Sequence, residues 1–359
     1  MLQIYNALTR DRKPTVSDVD LKQSPPRLFA AAGFKAETKK IWDLWLQWLF
    51  RSDNGAEPLD RRIRDRRKDI RDEAKDLDAW LFPGGTFDMD RLLEILLIAP
   101  NDPDIEKMKK LVPKANPSDQ NPFKGLKNAF NYDLFSRRAE FSALVQKLDV
   151  KVCPYCGRAF TGTVKTKDGR YIRTNQIDHY LAKSIYPHLS LSLWNLIPVC
   201  GDCNHRKSDK TDPILYPYAE GMGDHYHFRT HPIRDIRYVV GESGRCELRL
   251  SLERNEKLPL APKDRGFAER AENEIKSLGL ESLYSNHTEY VRDIFRQRYV
   301  FGDAYIDSLV RTFPRLFKSR EDVRALLYMK RIELDEIGSN PLDKLTRDID
   351  KEIDELPTK

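Results

Sequence analysis

Apolar residues recur with a helical period in the first 150 residues of the chain. One run lies around residues 41–49 and a second around residues 135–148, which predicts two amphipathic helices. The positions that define their faces are Ile41, Trp42, Trp45, Trp48, Leu49, Phe135, Phe141, Leu144 and Leu148. Between the runs, residues 100–122 contain five prolines and few apolar residues, so we expect a loop or an extended connection there.

The centre of the chain mixes strand and helix patterns. Residues 159–165 and 171–177 flank the dipeptide Asp168-Gly169, which favours the turn of a β-hairpin. Residues 201–209 then predict a short helix. The end of the hairpin and the start of this helix therefore bracket the polar residues considered below.

A further strand is predicted near the end of this central region. Between residues 246 and 252 apolar and polar positions alternate, which is typical of a half-buried strand, and residues 238–240 are its predicted partner. Cys246 begins the apolar side of that strand and is interpreted as a small buried hydrophobic residue.

The helical period returns from about residue 262. Ser319 and Asp322 have the spacing of a capping box, Gly338 is predicted to end that helix, and Pro341 to open a last one. The residues expected on one face of the last helix are Leu342, Leu345, Ile349 and Ile353. No internal repeat or low-complexity tract interrupts this order.

These patterns predict an α+β protein in three parts. We expect a helical N-terminal region at residues 1–150, a mixed centre at 151–255 and a helical C-terminal region at 256–359. Of the 359 residues, 40% are hydrophobic and 33% are charged, a balance typical of a folded globular chain. The opening MLQIYNALTR lacks the order of a secretory signal, and the longest apolar stretch is too short to cross a bilayer, so we expect a cytoplasmic protein without membrane contact.

The net charge of +6 is concentrated in one part of the sequence. Residues 151–210 contain ten Lys or Arg and four Asp, so this segment alone accounts for the whole excess. A positive potential of this kind favours a polyanionic partner such as nucleic acid.

Four of the five cysteines form two Cys-x2-Cys pairs separated by 43 residues. Two thiolate pairs in tight turns offer the four soft ligands and the tetrahedral geometry that zinc favours. The sequence therefore predicts a structural zinc site, whose expected ligands are Cys153, Cys156, Cys200 and Cys203.

The segment between the two cysteine pairs decides the class of protein. Asp178 and His179 fall at the end of the predicted hairpin, and the predicted helix begins beside the second cysteine pair. Zinc would hold the hairpin against this helix, which would bring Asp178 and His179 close to Asn204.

This stretch resembles the HNH endonuclease family, in its zinc-bearing branch with a ββα-metal fold. The resemblance is carried by the Asp-His pair, the Asn of "LWNLIPVC" and the Asn of "CGDCNHRK", in that order, together with the cysteine pairs. More loosely, "CPYC", "KSIYPHLSLSLWNLIPVC" and "NPLDKLTRDI" resemble the HNH nuclease subunit of Septu-like anti-phage systems, which are paired with an ATPase. We therefore expect a metal-dependent nuclease acting on nucleic acid, most readily on DNA.

The resemblance implies a role for each matching residue. His179 corresponds to the general base, and an imidazole can take a proton from water at neutral pH. Asp178 and Asn204 correspond to ligands of Mg²⁺ or Mn²⁺, which oxygen donors suit. Asn195 corresponds to the residue that braces the backbone and thereby aims the histidine. Two basic residues after the last ligand, Arg206 and Lys207, are candidates for holding the substrate phosphate.

Two points remain open at this level. His205 follows Asn204 directly, but neighbouring helical residues point about 100° apart, so we expect only one of them, Asn204, at the ion. The alternative to a nuclease is a zinc-ribbon protein that binds nucleic acid or serves as a scaffold without catalysis. The helical flanks exceed what an HNH core needs, so self-association or a partner such as an ATPase is also expected.

Overall fold

The computed structural model describes residues 38–51, 57–115, 122–231, 239–240, 248–259, 265–333 and 337–356. Over these residues the protein is a mixed α+β structure, in which helices precede and follow three small antiparallel sheets. The helices are α1 (Thr38–Phe50), α2 (Leu59–Asp65), α3 (Arg67–Glu73), α4 (Lys75–Leu81), α5 (Met89–Leu97), α6 (Ile105–Lys109), α7 (Lys124–Ala129), α8 (Tyr132–Phe135), α9 (Ala139–Leu148), α10 (Gly201–Lys207), α11 (Arg265–Leu278), α12 (Leu280–Tyr284), α13 (Thr288–Val300), α14 (Asp303–Thr312), α15 (Arg320–Tyr328) and α16 (Asp343–Asp354). The strands are β1 (Thr163–Lys165), β2 (Tyr171–Arg173), β3 (Gln176–His179), β4 (Leu196–Val199), β5 (Tyr226–His231) and β6 (Arg249–Arg254).

The N-terminal helices pack on one another through aromatic residues. Trp45 and Trp48 of α1 are fully buried, and the indole N–H of Trp48 donates to the carbonyl of Phe135 over 2.6 Å. The rings of Trp48 and Phe141 lie 4.8 Å apart between centroids, which joins α1 to α9. The first predicted helix is confirmed as α1, and its two tryptophans serve the core of this chain. The second is confirmed only at Ala139–Leu148, because Phe135 ends the separate short helix α8. The side chain of Trp42 lies outside the described residues.

The predicted hairpin is present but shorter than expected. β1 and β2 pair in antiparallel register across a turn in which Gly169 has a φ of +85°, a conformation that glycine adopts without strain. The prediction that the hairpin's second strand runs on to His179 is wrong. The strand β2 ends at Arg173, residues 174 and 175 belong to no strand, and β3 pairs with β4. The partner of β3 is Leu196–Val199, which the sequence pattern did not predict as a strand.

The third sheet pairs β6 with β5, not with residues 238–240. Val239 and Val240 lie in a helical turn, so the predicted strand partner is wrong. The alternating pattern itself is confirmed from Arg249 onward, whereas Cys246 lies outside the described residues.

Carboxylates of neighbouring helices accept hydrogen bonds from N–H groups on both edges of this sheet. On β5 the backbone N–H groups of Phe228 and Thr230 donate to Asp348 and Glu352, over 3.0 and 3.1 Å. These acids stand one helical turn apart on α16. On β6 the N–H of Leu252 donates to Glu281 of α12. Helix side chains thus take the place of further strands.

The C-terminal helices follow the predicted signals in part. The capping box is confirmed, since Ser319 and Asp322 exchange hydrogen bonds at the start of α15. This helix ends at Tyr328, before the predicted stop at Gly338, because Met329 adopts a left-handed conformation with a φ of +54°. The predicted apolar face of α16 is buried at Leu345, Ile349 and Ile353.

One connected hydrophobic core runs through the described parts of all three predicted regions, from Ile41 to Ile353. The predicted boundaries at residues 150 and 255 therefore stay a prediction. None of the described helices has both the length and the apolar character needed to span a bilayer.

Candidate functional site

Four buried thiols converge where the first cysteine pair meets the start of α10. Cys153 and Cys156 lie in a tight turn that ends at Gly157, Cys200 caps α10, and Cys203 lies in its first turn. The four sulfur atoms all lie within 4.8 Å of one another. Sequence spacing predicted this cluster, and the fold brings it together.

The geometry of the cluster fits a zinc ion. Ligand sulfurs placed tetrahedrally about 2.3 Å from zinc stand about 3.8 Å apart. The sulfur atoms of Cys156 and Cys200 are 3.8 Å apart, and the backbone N–H of Arg158 points to the Cys156 sulfur over 3.4 Å. An N–H donor of this kind stabilises a thiolate that holds a metal. The four cysteines can therefore hold a structural metal such as zinc.

The C-terminal region fixes the first cysteine turn from outside. The hydroxyl of Tyr284 donates to the carbonyl of Cys156, and the N–H of Leu342 donates to the carbonyl of Gly157 over 2.7 Å. The cysteine cluster is thus tied to α12 and to the start of α16.

The strands β3 and β4 and the helix α10 form a ββα unit next to the cluster. Asp178 and His179 end β3, Asn195 directly precedes β4, and Asn204 lies in the middle of α10. Successive residues of a strand point to opposite faces, so Asp178 and His179 enter different surroundings.

His179 is held by a backbone carbonyl. Its Nε2 atom lies 3.1 Å from the carbonyl oxygen of Ser190. Because a carbonyl only accepts hydrogen bonds, Nε2 carries the proton of the neutral ring, and Nδ1 keeps its lone pair. Nδ1 is thus the ring atom at which the imidazole can accept a proton.

Residues of the N-terminal region cover this imidazole. The ring of Tyr132 packs against it, and Lys183 lies 5.0 Å above the Tyr132 ring and 3.1 Å from a carboxylate oxygen of Asp133. Burial lowers the pKa of His179 to about 3, and the nearby Lys183 ammonium acts in the same direction. The ring is therefore neutral throughout the physiological pH range.

The side-chain amide of Asn195 braces the backbone around the histidine. Its oxygen accepts from the N–H of Leu181 over 2.6 Å, and its nitrogen donates to the carbonyls of Leu181 and Leu189 over 3.0 Å each. Leu181 lies two residues after His179, and Leu189 directly precedes the Ser190 carbonyl that receives the imidazole N–H. One buried amide thus connects both sides of the His179 hydrogen bond.

Three further side chains dock the loop between β3 and β4 onto the N-terminal helices. The alternate residues His188, Ser190 and Ser192 are buried, and each reaches a backbone carbonyl there. The accepting carbonyls belong to Met108, Phe130 and Ile98, at 3.0, 2.9 and 3.0 Å. The N-terminal region therefore sets the position of the loop that holds His179.

Asp178 is buried among polar partners. The Tyr155 hydroxyl donates to one carboxylate oxygen over 2.6 Å, and the Lys207 ammonium donates to the other over 3.1 Å. Lys207 also donates to the carbonyl of His179 over 3.0 Å. Burial raises the pKa of Asp178, and the Lys207 charge opposes that shift.

The oxygen donors expected at a catalytic ion fit Mg²⁺ or Mn²⁺ in type. Both oxygens of Asp178 lie within about 3 Å of the Lys207 ammonium, so an ion bound at this carboxylate would replace that contact. The amide nitrogen of Asn204 donates to Gln176 over 2.7 Å, which leaves the amide oxygen to serve as a ligand.

The two basic residues expected at the phosphate differ in exposure. Arg206 is exposed on α10, where a phosphate can reach it, whereas Lys207 is buried against Asp178 and His179. A phosphate contact by Lys207 would require it to leave these partners.

Sequence reasoning did not identify several residues that shape the site. Tyr155 follows the first cysteine by two positions and carries a polar group on an aromatic ring, which was its only sequence signal. Tyr132 and Ser190 act through tertiary contacts, and nothing in their local sequence marks them.

Comparisons with known proteins agree with this geometry over one segment. Residues 153–210 match the family model of the HNH endonucleases, and this segment contains the four cysteines and the ββα unit. No curated protein and no solved structure matches the chain. The match indicates a nuclease that acts on nucleic acid, while residues outside it have no counterpart among these comparisons.

Proposed function

We propose that this protein is a metal-dependent endonuclease that hydrolyses phosphodiester bonds in nucleic acid, with DNA as the preferred substrate. The observation that supports it most directly is the hydrogen bond from His179 Nε2 to the Ser190 carbonyl. It leaves Nδ1 free to act as a base, inside the segment that matches the HNH endonucleases.

In the proposed reaction, His179 Nδ1 accepts a proton from the attacking water. The water oxygen bonds to phosphorus, the bond from phosphorus to the 3′ oxygen breaks, and that oxygen takes a proton from solvent. The products would be 5′-phosphate and 3′-hydroxyl ends, as the family resemblance implies. Asn195 would hold the histidine in line, through its bonds to Leu181 and Leu189.

Asp178 and Asn204 would hold a Mg²⁺ or Mn²⁺ ion in this proposal. Such an ion supplies charge stabilisation for the phosphate and the departing oxygen. Arg206 lies two residues after Asn204 on α10 and points about 200° away from it, so its exposed guanidinium would contact a phosphate further from the ion. Zinc at the four cysteines would serve the structure alone.

The test compares the wild type with His179→Ala on plasmid DNA and on total RNA, with Mg²⁺, with Mn²⁺ and with a chelator. We expect cleavage to fall at least ~10²-fold, because general-base catalysis typically contributes that factor. Zinc content and nucleic-acid affinity should stay unchanged. His205→Ala is the matched control, because His205 is exposed on α10 and should be dispensable.

Two further results would separate the possibilities. Added Mn²⁺ should partly restore Asn204→Ala but not His179→Ala, because only the former acts through the ion. Full cleavage by His179→Ala would refute the assigned base. Tight binding without cleavage under every condition would favour the alternative, a zinc-ribbon binding or scaffold protein.

A role in anti-phage defence, together with an ATPase partner, is the finer form of this proposal and rests on sequence resemblance alone. It predicts that cells expressing the wild type and its partner restrict phage plating, and that His179→Ala abolishes the effect. Purification from the native host should recover an ATPase in stoichiometric amounts. Failure of both would remove the defence role without affecting the nuclease proposal.

A further inference from the structure

The β1–β2 hairpin carries an apolar pair on its open face. Val164 and Ile172 are direct cross-strand partners, and 62% and 59% of their surfaces are exposed. Phe160, on the chain leading into β1, is also 62% exposed. Exposed apolar residues that cluster on one face indicate a contact surface.

Basic residues lie along the same hairpin, but not all of them share the face of this pair. Arg173 points to the opposite face, where its guanidinium lies 5.2 Å over the ring of Phe141. Between residues 160 and 175 the charged residues are Lys165, Lys167, Arg170 and Arg173, with Asp168 as the single acid. All four basic residues are exposed, and Asp168 is bonded to the neighbouring Arg170 over 2.6 Å. The hairpin therefore offers a net positive surface to a partner.

The hairpin is fixed at its base and leads directly into the site. The side-chain nitrogen of Asn175 donates to the carbonyls of Thr161 and Gly162 and to the hydroxyl of Thr163, over 2.9 to 3.1 Å. Only two residues separate β2 from β3, which ends at His179. Ten residues from the turn to His179 span at most about 36 Å, close to one turn of DNA.

We propose that this hairpin docks into a groove of duplex DNA next to the cut site. The proposal rests on the proposed nuclease function and names the element that would hold its substrate. A two-stranded ribbon fits the major groove, about 12 Å wide, where Val164 and Ile172 would contact the methyl groups of thymines. Lys167 and Arg170, which are exposed at the turn, would contact the phosphates beside it. This excess of positive charge favours a polyanion over a protein as the occupant.

The experiment measures binding of a duplex DNA of about 30 base pairs in the His179→Ala background, so that cleavage does not interfere. Lys167→Gln combined with Arg170→Gln should weaken binding about tenfold and lower the slope of log Kd against log salt by about 2. Val164→Thr combined with Ile172→Thr should weaken binding without changing that slope. All four side chains are exposed, so melting temperature and zinc content should stay unchanged.

The matched control is Arg315→Gln combined with Lys318→Gln, which removes two exposed charges from the loop between α14 and α15. It should bind DNA like the parent. Wild-type affinity and slope in both hairpin variants would overturn the proposal, as would loss of a protein partner with DNA binding intact. The absence of any duplex binding by the parent would also overturn it. Whether His179→Ala abolishes cleavage is decided separately, so the nuclease proposal can fail or stand on its own.

Discussion

The ring of Tyr132 stands edge-on to the imidazole of His179, with centroids 4.4 Å apart and planes at 82°. Tyr132 belongs to α8, well before the segment that matches the HNH endonucleases. The N-terminal region therefore supplies one wall of the candidate site. It also supplies the carbonyls that hold the β3–β4 loop.

Removing this wall should change the acid limit of activity. Burial depresses the pKa of His179 to about 3, so the base is unprotonated above that pH. Tyr132→Ala admits water to the ring, and the pKa should rise toward its ordinary value of about 6.5. The acid limb of the plot of kcat/KM against pH should then move to higher pH. Tyr132→Phe keeps the ring and should keep the wild-type profile, whereas an unmoved limb in Tyr132→Ala would contradict the assigned contact.

Lys207 neutralises a carboxylate that is almost fully buried, with Asp178 only 3% exposed. Lys207→Met leaves that charge without its partner and should lower the free energy of unfolding by about 3 to 5 kcal/mol. Urea unfolding measures the change. Lys210→Met is the control, since Lys210 is exposed, and it should change stability by less than about 0.5 kcal/mol.

Removing both charges should cost less than removing the lysine alone. In Lys207→Met combined with Asp178→Asn no buried ion remains unpaired, so part of the lost stability should return. A double-mutant cycle isolates this coupling. Strictly additive effects would show that the two side chains do not depend on each other.

Zinc should be bound at about one ion per chain, as measured by elemental analysis of protein purified without chelators. Cys203→Ser removes a fully buried ligand and should lower both zinc content and melting temperature. Cys246→Ser should keep the zinc, because the spacing of Cys246 provides no second thiol. Wild-type protein free of zinc would refute the assignment.

His188 should make the protein sensitive to acid. It is fully buried, and burial lowers its pKa to about 4. Between pH 6.5 and 4 the unfolded chain binds a proton that the native protein does not, so stability falls as pH falls through this window. Between pH 7.5 and 5 the wild type should lose about 2 kcal/mol more than His188→Gln in urea unfolding. Equal losses of stability in the wild type and in His188→Gln would contradict the lowered pKa of His188.

The sequence predicted the four-cysteine cluster better than the scaffold around it. Cysteine spacing located the four thiols, because two ligands of one ion that are close in sequence must lie in a tight turn, whatever the rest of the fold. The partner of β3 was missed because Leu196–Val199 is buried on both faces and shows no alternation. A four-residue apolar run of this kind has no periodicity from which a strand could be predicted.

Contacts between distant segments could not be predicted from the sequence, for a different reason. Lys207 was expected at the phosphate as a basic residue after the last ligand, and only the fold shows that it faces Asp178. The carbonyl of Ser190 is a backbone group that every residue carries. Such roles depend on where the chain returns, and local sequence does not encode that.

The carboxylates of α16 that bond to β5 have a consequence for handling the chain. Asp348 and Glu352 occupy N–H groups that would otherwise form an open strand edge, and such edges recruit strands from other molecules. A fragment that stops before residue 343 would leave the backbone N–H groups of Phe228 and Thr230 without these acceptors, beside an apolar face. Preparations shortened at this end are therefore expected to aggregate, even though every residue of the HNH-like segment is retained.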